Sequence, residues 1–119
     1  MPFQEILDHL IERVPEAVAA SFNDKDGDPI CACTDRMPSD ALQLLGAYRN
    51  VVDRHLNAAI EEFDRGEVQQ VAFCTDQHWI LMMGAKDHCA LVLVMRRDGL
   101  LGRARFEMER AIAGLNQEL

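Results

Sequence analysis

The chain has 119 residues, of which 49% are hydrophobic, a size typical of one domain with one continuous core, and we expect residues 1–119 to form a single domain. Its formal net charge of -8 would repel nucleic-acid phosphates and anionic lipid head groups, so neither nucleic acid nor a membrane surface is an expected partner. The sequence opens without a basic segment followed by an apolar run, and no apolar run reaches membrane-spanning length, so we expect a cytoplasmic protein.

The first predicted elements are a helix and a hairpin. Apolar residues recur with a 3.6-residue period from Phe3 to Val14, and Pro15 prevents the helix from continuing. A short apolar run at 17–22 and another that begins at Ile30 flank a polar loop containing glycine, which is typical of a β-hairpin.

A long second helix is predicted to begin at Ser39 or Asp40, either of which can act as its N-cap, and to end at Phe63 or Asp64, before Gly66. At 100° per residue its apolar side chains form two adjacent stripes, which together span an arc of roughly 200°, about twice what packing on one core requires. The excess needs a second surface to cover it. One stripe holds Leu45, Tyr48, Val52, Leu56, Ala59, Ile60 and Phe63, and the other holds Leu44, Ala47, Val51 and Ala58.

Three apolar runs follow, Val68 to Thr75, Trp79 to Ala85 and Cys89 to Met95, separated by short polar connections suited to an antiparallel meander. Both alternating faces of the last two runs are apolar, which indicates strands buried on both faces and therefore helices on each side of the sheet. Apolar residues at helical spacing between Leu101 and Leu119 predict a terminal helix. The predicted order is α-β-β-α-β-β-β-α.

This order, with a long helix between a hairpin and a three-stranded meander, resembles the roadblock/dynein light chain family over essentially the whole chain. The local features that carry the resemblance are the Asp26-Gly27 turn closed by Ile30, the apolar strand from Ala90 to Val94, and the segment Leu101-Gly102-Arg103-Ala104-Arg105 at the start of the last helix. The resemblance implies an α/β (α+β) fold of the profilin-like sandwich type. In that fold the long helix lies on one face of a five-stranded antiparallel sheet and the terminal helices lie on the other.

The resemblance also implies a homodimer, in which the strand after the long helix pairs with its twin and the two long helices pack together. The wide apolar arc of the second helix is consistent with such a partner. The residues expected at this interface are Leu44, Ala47, Val51, His55, Ala58, Val68, Gln69, Val71 and Phe73.

Members of this family act as dynein light chains, as scaffold subunits for Ras-like small GTPases and, in the bacterial gliding-motility regulator MglB, as a GTPase-activating partner. A free-standing domain is most similar to this bacterial MglB-like branch, so we expect a non-enzymatic homodimeric regulator or scaffold of a Ras-like small GTPase. The alternatives are a passive light-chain-like adaptor subunit and a small-molecule sensor. A sensor needs a pocket with convergent polar groups, and the sequence shows no cluster of buried polar residues.

The four cysteines, Cys31, Cys33, Cys74 and Cys89, do not have the paired spacing of zinc ligands, and we expect them to be buried thiols. A cysteine nucleophile with His78 or His88 as its base is also not indicated, because His88 and Cys89 would point to opposite faces of a strand. We expect no catalytic residue and no metal ligand among them.

Two further patterns have an ordinary structural explanation. Asp24, Asp26 and Asp28 alternate as at the start of an EF-hand, but Asp35 stands where the twelfth-position Glu is needed, so a solvated loop is expected. The chain has neither of the glycine-rich phosphate-binding motifs, so we expect no cofactor and no bound nucleotide.

A regulator of a GTPase could instead supply an arginine finger, although an ordinary surface position is expected for each candidate. The candidates are Arg36, Arg49, Arg54, Arg65, Arg103 and Arg105.

Overall fold

The computed structural model describes residues 2–33, 36–63 and 66–119, with Asn50 described by its backbone alone. The order of elements is the predicted one, and a single 3-10 turn at Lys86–His88 joins the last two strands. The elements are α1 (Pro2–Arg13), β1 (Ala17–Asn23), β2 (Pro29–Cys33), α2 (Ser39–Ile60), β3 (Gln70–Cys74), β4 (His78–Gly84), β5 (Ala90–Arg96) and α3 (Leu101–Glu118).

The five strands form one antiparallel sheet in the order β2-β1-β5-β4-β3, which places β2 and β3 at its two edges. α1 and α3 pack on one face, and α2 packs on the other. The central strand β5 is buried on both faces, as its doubly apolar pattern predicts. Leu91 and Leu93 belong to the core under α1 and α3, whereas Val92 and Val94 belong to the smaller core under α2.

The ends of α2 differ from the prediction. The helix ends at Ile60 rather than at Phe63, and Asp64 lies outside the described residues. Neither Ser39 nor Asp40 caps its start: the N-cap position is the extended Pro38, whose side chain cannot accept a hydrogen bond.

Strand β3 begins at Gln70, two residues later than predicted. The backbone N–H of Val68 donates to the Asn57 side chain on α2 (3.0 Å) and is therefore not part of the strand ladder. The polar connection between β4 and β5 is a tight turn that includes His88, because Asp87 and His88 both have φ of 60°, a value that strand residues do not adopt. His88 thus lies in a turn, and the expectation that it shares a strand with Cys89 was wrong.

α2 approaches the β1–β2 hairpin closely at two glycines. Gly27 has φ of +85°, and a Cβ there would lie 2.9 Å from the Cα of Ala47. A Cβ at Gly46 would lie 2.6 Å from Nδ2 of the buried Asn23. Both distances are too short for a real Cβ atom. The helix can therefore lie this close to the hairpin only because these two positions are glycine. Within the described residues, no helix is long and apolar enough to cross a membrane.

Candidate functional site

The inward face of α2 changes character along the helix. In the first half, Leu42 is buried and Leu45 half-buried against the core that contains Val92 and Val94. In the second half the inward positions are polar: Arg49 and Asp53 lie four residues apart and so share one helical face. The apolar pattern of the sequence does not predict that Arg49 and Asp53 face inward.

Arg49 and Asp53 form an ion pair beneath α2. Arg49 is only 7% exposed, and its guanidinium lies 2.7 Å from the Asp53 carboxylate. Gly84 of β4 gives the guanidinium room, since a Cβ there would lie 3.1 Å from it. Burial raises the pKa of Asp53, and the charge of Arg49 opposes that rise. The structure therefore contains a buried polar pair that the sequence does not predict.

A cavity of about 570 Å³ lies beside this pair, between α2, the 3-10 turn and the end of α3. At that end the Asn116 side chain accepts a hydrogen bond from the N–H of Lys86 (2.8 Å). Nε of Arg49 and Oδ1 of Asp53 have no hydrogen-bond partner among the described residues, but both atoms are shielded from solvent. A ligand in the cavity would reach them only after the side chains turn, so the cavity gives no direct support to the small-molecule sensor.

The outward face of α2 is apolar and uncovered. Leu44 and Tyr48 are 57% and 56% exposed and Val51 is exposed as well, although Tyr48 shares its predicted stripe with Leu45, which is half-buried. The interface residues expected on this helix all lie on exposed positions. They are Leu44, Ala47, Val51, His55 and Ala58.

The other expected interface residues lie at or before β3, which is an edge strand. Phe73 is 40% exposed, and Gln69 is exposed. Val68 and Val71 are half-buried, and Val71 packs against the core under α2. A charged substitution at Val71 would therefore disturb the fold as well as the edge, so α2 offers cleaner positions for testing an interface.

The arginine-finger candidates occupy different environments. Arg49 is buried in its ion pair and cannot reach a partner in this conformation. Arg105 donates two hydrogen bonds to the side chain of Gln70, whereas Arg54 and Arg103 are exposed. Arg36 is exposed with a long hydrogen bond to the Ala17 carbonyl (3.5 Å), and Arg65 lies outside the described residues.

The cysteines are less uniform than predicted. Cys89 is buried, Cys31 and Cys33 are half-buried, and Cys74 on the edge strand is exposed, so the expectation of buried thiols was wrong for Cys74. The Cys33 thiol donates to the Asp8 carboxylate (3.0 Å). This bond and one from Gln4 hold the pKa of Asp8 below its usual value.

These environments predict selective alkylation of Cys74. Burial raises the pKa of Cys31 to about 11 and, together with the Asp8 carboxylate, that of Cys33 to about 12, so both thiols stay protonated near neutral pH. Cys89 is shielded from the reagent. Iodoacetamide at limiting concentration should modify Cys74 first, as read from peptide masses, and Cys74→Ser should remove the fast reaction. Equally fast labelling of Cys33 would contradict this assignment.

The aspartate loop of the hairpin is closed by its own backbone. The Asp24 carboxylate accepts hydrogen bonds from the N–H groups of Asp26 and Asp28 at 2.9 and 3.0 Å. Residues 2–33, 36–63 and 66–119 contain no group of three or more His, Cys, Asp or Glu side chains arranged to hold a metal ion.

A profile of the Roadblock/LC7 domain family matches residues 3–95 of this chain. No curated protein matches it. A solved Roadblock/LC7 domain from Streptomyces avermitilis superposes with a TM-score of 0.85 at 19% sequence identity, over 97% of this chain and 95% of that chain.

Two structures of MglB are similarly close. The gliding protein MglB from Thermus thermophilus has a TM-score of 0.86 at 18% identity, over 98% of this chain and 87% of that chain. MglB from Myxococcus xanthus has a TM-score of 0.85 at 16% identity, over 97% of this chain and 92% of that chain. At these identities the similarity establishes a common fold.

Proposed function

This chain belongs to the Roadblock/LC7 domain family, and on that premise we propose that it acts as a homodimeric, non-enzymatic regulator of a Ras-like small GTPase. The resemblance to the MglB-like branch favours this role, and the similarity in fold to two MglB structures is consistent with it. The chain itself has no phosphate-binding loop, so it would act on the GTPase from outside.

The observation that carries the dimer is the uncovered apolar outer face of α2. Exposed Leu44, Tyr48 and Val51 give this helix an apolar surface on the side away from the sheet. α2 packs over β1 and β5 and does not cover the edge strand β3, so Phe73 on β3 remains partly exposed. Exposed apolar surface of this kind is typical of protein interfaces, and a second copy of the chain would supply a matching one.

The edge strand β3 is suited to pairing with its twin. Its sequence, Gln-Val-Ala-Phe-Cys, contains none of the charged or proline residues that block edge-to-edge association. The opposite edge strand β2 begins with Pro29 and is packed against α1, so it is less available. We therefore place the two-fold contact at β3 and α2.

The test combines sedimentation equilibrium at micromolar concentration with single-turnover GTP hydrolysis and nucleotide release by a Ras-like GTPase encoded beside this chain. We expect a dimer mass and a changed rate of hydrolysis or exchange, with no nucleotide bound by this chain. A monomer mass would contradict the structural part of the proposal. Unchanged rates without binding would contradict the regulator role, and unchanged rates with tight binding would favour the passive adaptor.

A further inference from the structure

The outward face of α3 carries an exposed phenylalanine between arginines. Phe106 is 58% exposed and points away from the buried side of the helix, which is formed by Ala104, Met108 and Ala111. Arg103 lies three residues before it and Arg110 four residues after it, so both flank Phe106 on the same face. Aromatic residues and arginine are the types enriched at the centres of protein interfaces.

This face belongs to a basic segment of an acidic chain. Residues 96–110 contain five arginines and three carboxylates, a net charge of +2, so the remaining residues together carry -10. All three carboxylates have partners: Asp98 pairs with Arg96, Glu107 pairs with Arg110, and Glu109, which lies three residues after Phe106, accepts a hydrogen bond from the Gln70 side chain (3.4 Å). Arg103 makes no hydrogen bond or ion pair with another residue in the described part of the chain.

Arg110 is held in place before any partner arrives. Its guanidinium lies 3.1 Å from the nearly buried Glu107 carboxylate and 5.9 Å from the centre of the Phe106 ring. A side chain that is already ordered loses less conformational entropy on binding. Two of its sides are occupied by Glu107 and Phe106, and the remaining N–H groups stay free to bind an anionic group.

Gly102 leaves open space next to Phe106. It lies four residues earlier on the same face, and helical side chains lean toward the N-terminus, so the Phe106 ring leans toward it. A Cβ at Gly102 would meet no atom within 4 Å, and the residue does not have a positive φ. Nothing inside the chain requires a glycine there, although glycine has a lower helix propensity than alanine.

We propose that Gly102, Arg103, Phe106 and Arg110 form a docking surface for an acidic segment of a partner protein that carries an apolar anchor residue. The anchor packs on the Phe106 ring above Gly102, and flanking carboxylates pair with Arg103 and Arg110, whose guanidinium groups suit bidentate carboxylate binding. α3 lies on the sheet face opposite α2, so the α2 part of the proposed dimer contact is on the other side of the sheet from this surface. The proposal does not depend on the GTPase role.

The experiment measures fluorescence anisotropy of a fluorescein-labelled amphipathic peptide built from Glu and Leu, titrated with the full chain. Phe106→Ser, Arg103→Glu and Gly102→Gln should each weaken binding about 10-fold or more, because each alters the centre of the contact. Gly102→Gln should do so without lowering the thermal midpoint, which separates lost docking from lost folding. Binding should also weaken as salt increases.

Matched controls lie on the other face of the sheet. Arg54→Glu makes the same charge change as Arg103→Glu at an exposed position on α2. Phe63→Ser removes a phenylalanine that follows α2 and is 80% exposed. Both should leave the affinity within about 2-fold, since screening reduces the effect of distant charges. The same peptide with Lys in place of Glu should not bind.

Five results of these experiments would contradict the proposal or assign this face to another partner. Absent binding, equal binding of the Lys peptide, or affinity unchanged by Phe106→Ser would each exclude an acidic segment docked on this face. Binding to phosphatidylglycerol vesicles in place of the peptide would assign the arginines to a membrane surface. Self-association lost on Phe106→Ser, with no peptide binding, would assign the face to a second copy of the chain.

Discussion

Leu44→Glu should yield a folded monomer that no longer changes the GTP cycle of its partner GTPase. Leu44 is exposed on the outer face of α2 and contributes little to the core of one chain, so its replacement should leave the thermal midpoint nearly unchanged. In the proposed dimer the new carboxylate would be buried in an apolar contact without a partner. A buried, unpaired carboxylate of this kind should cost about 2–4 kcal/mol of binding free energy, which raises the dimer dissociation constant about 30-fold or more.

The matched control is Gln43→Glu. It adds the same negative charge at an exposed position one residue earlier, about 100° around the helix. Sedimentation equilibrium should show a monomer for Leu44→Glu and a dimer for the control, and only the control should retain activity in single-turnover GTP hydrolysis. A Leu44→Glu protein that remains dimeric would move the interface away from α2, and a monomer with full activity would show that the two-fold assembly is not needed.

The arginine variants decide how the dimer acts. Arg49 is buried, so the exposed candidates are Arg36, Arg54, Arg103 and Arg105. If the dimer repositions the GTPase's own switch residues, single changes of these to Ala should each retain most of the stimulation. Removal of a true finger would instead cost about 10³-fold or more in the hydrolysis rate, and such a loss at one position would identify that residue as the finger.

The sheet was predictable because its signals are local. β5 alternates apolar residues on both faces and is buried on both, and the polar segments before β4 and before β5 are turns, as their composition indicates. The strand ends shifted where a tertiary contact intervened, as where Val68 donates to Asn57 on α2. Such a contact joins residues of different elements and leaves no periodic signal in either of them.

The rotation of α2 was not predictable from its own pattern. Apolar residues cover so much of its circumference that the periodicity does not distinguish the side facing the sheet from the side facing outward. The structure turns Leu42 and Gly46 inward, and Arg49 follows on the same face because of helical spacing. The cue that was missed is Gly46, the smallest residue of the helix, at the position where α2 lies closest to Asn23.

Gly46→Ala should destabilise the protein, although alanine is the better helix former. In α2 the new methyl group would overlap the Asn23 side chain, which is buried and donates a hydrogen bond to Ser21 (3.1 Å). Displacing Asn23 disrupts that bond and strains the packing, which outweighs the gain in helix propensity of about 1 kcal/mol. We expect a net loss of about 2 kcal/mol in the free energy of unfolding, measured by urea denaturation.

Gly102→Ala is the matched control, because it makes the same substitution in a helix where the new methyl group meets no atom within 4 Å. It should raise the free energy of unfolding by up to about 1 kcal/mol. If Asn23 is the obstacle, Asn23→Ala should relieve Gly46→Ala, so that the double variant is more stable than the sum of the single changes predicts. Equal effects of the two glycine changes, or strict additivity with Asn23→Ala, would mean that the close approach of α2 to β1 does not set the stability of this contact.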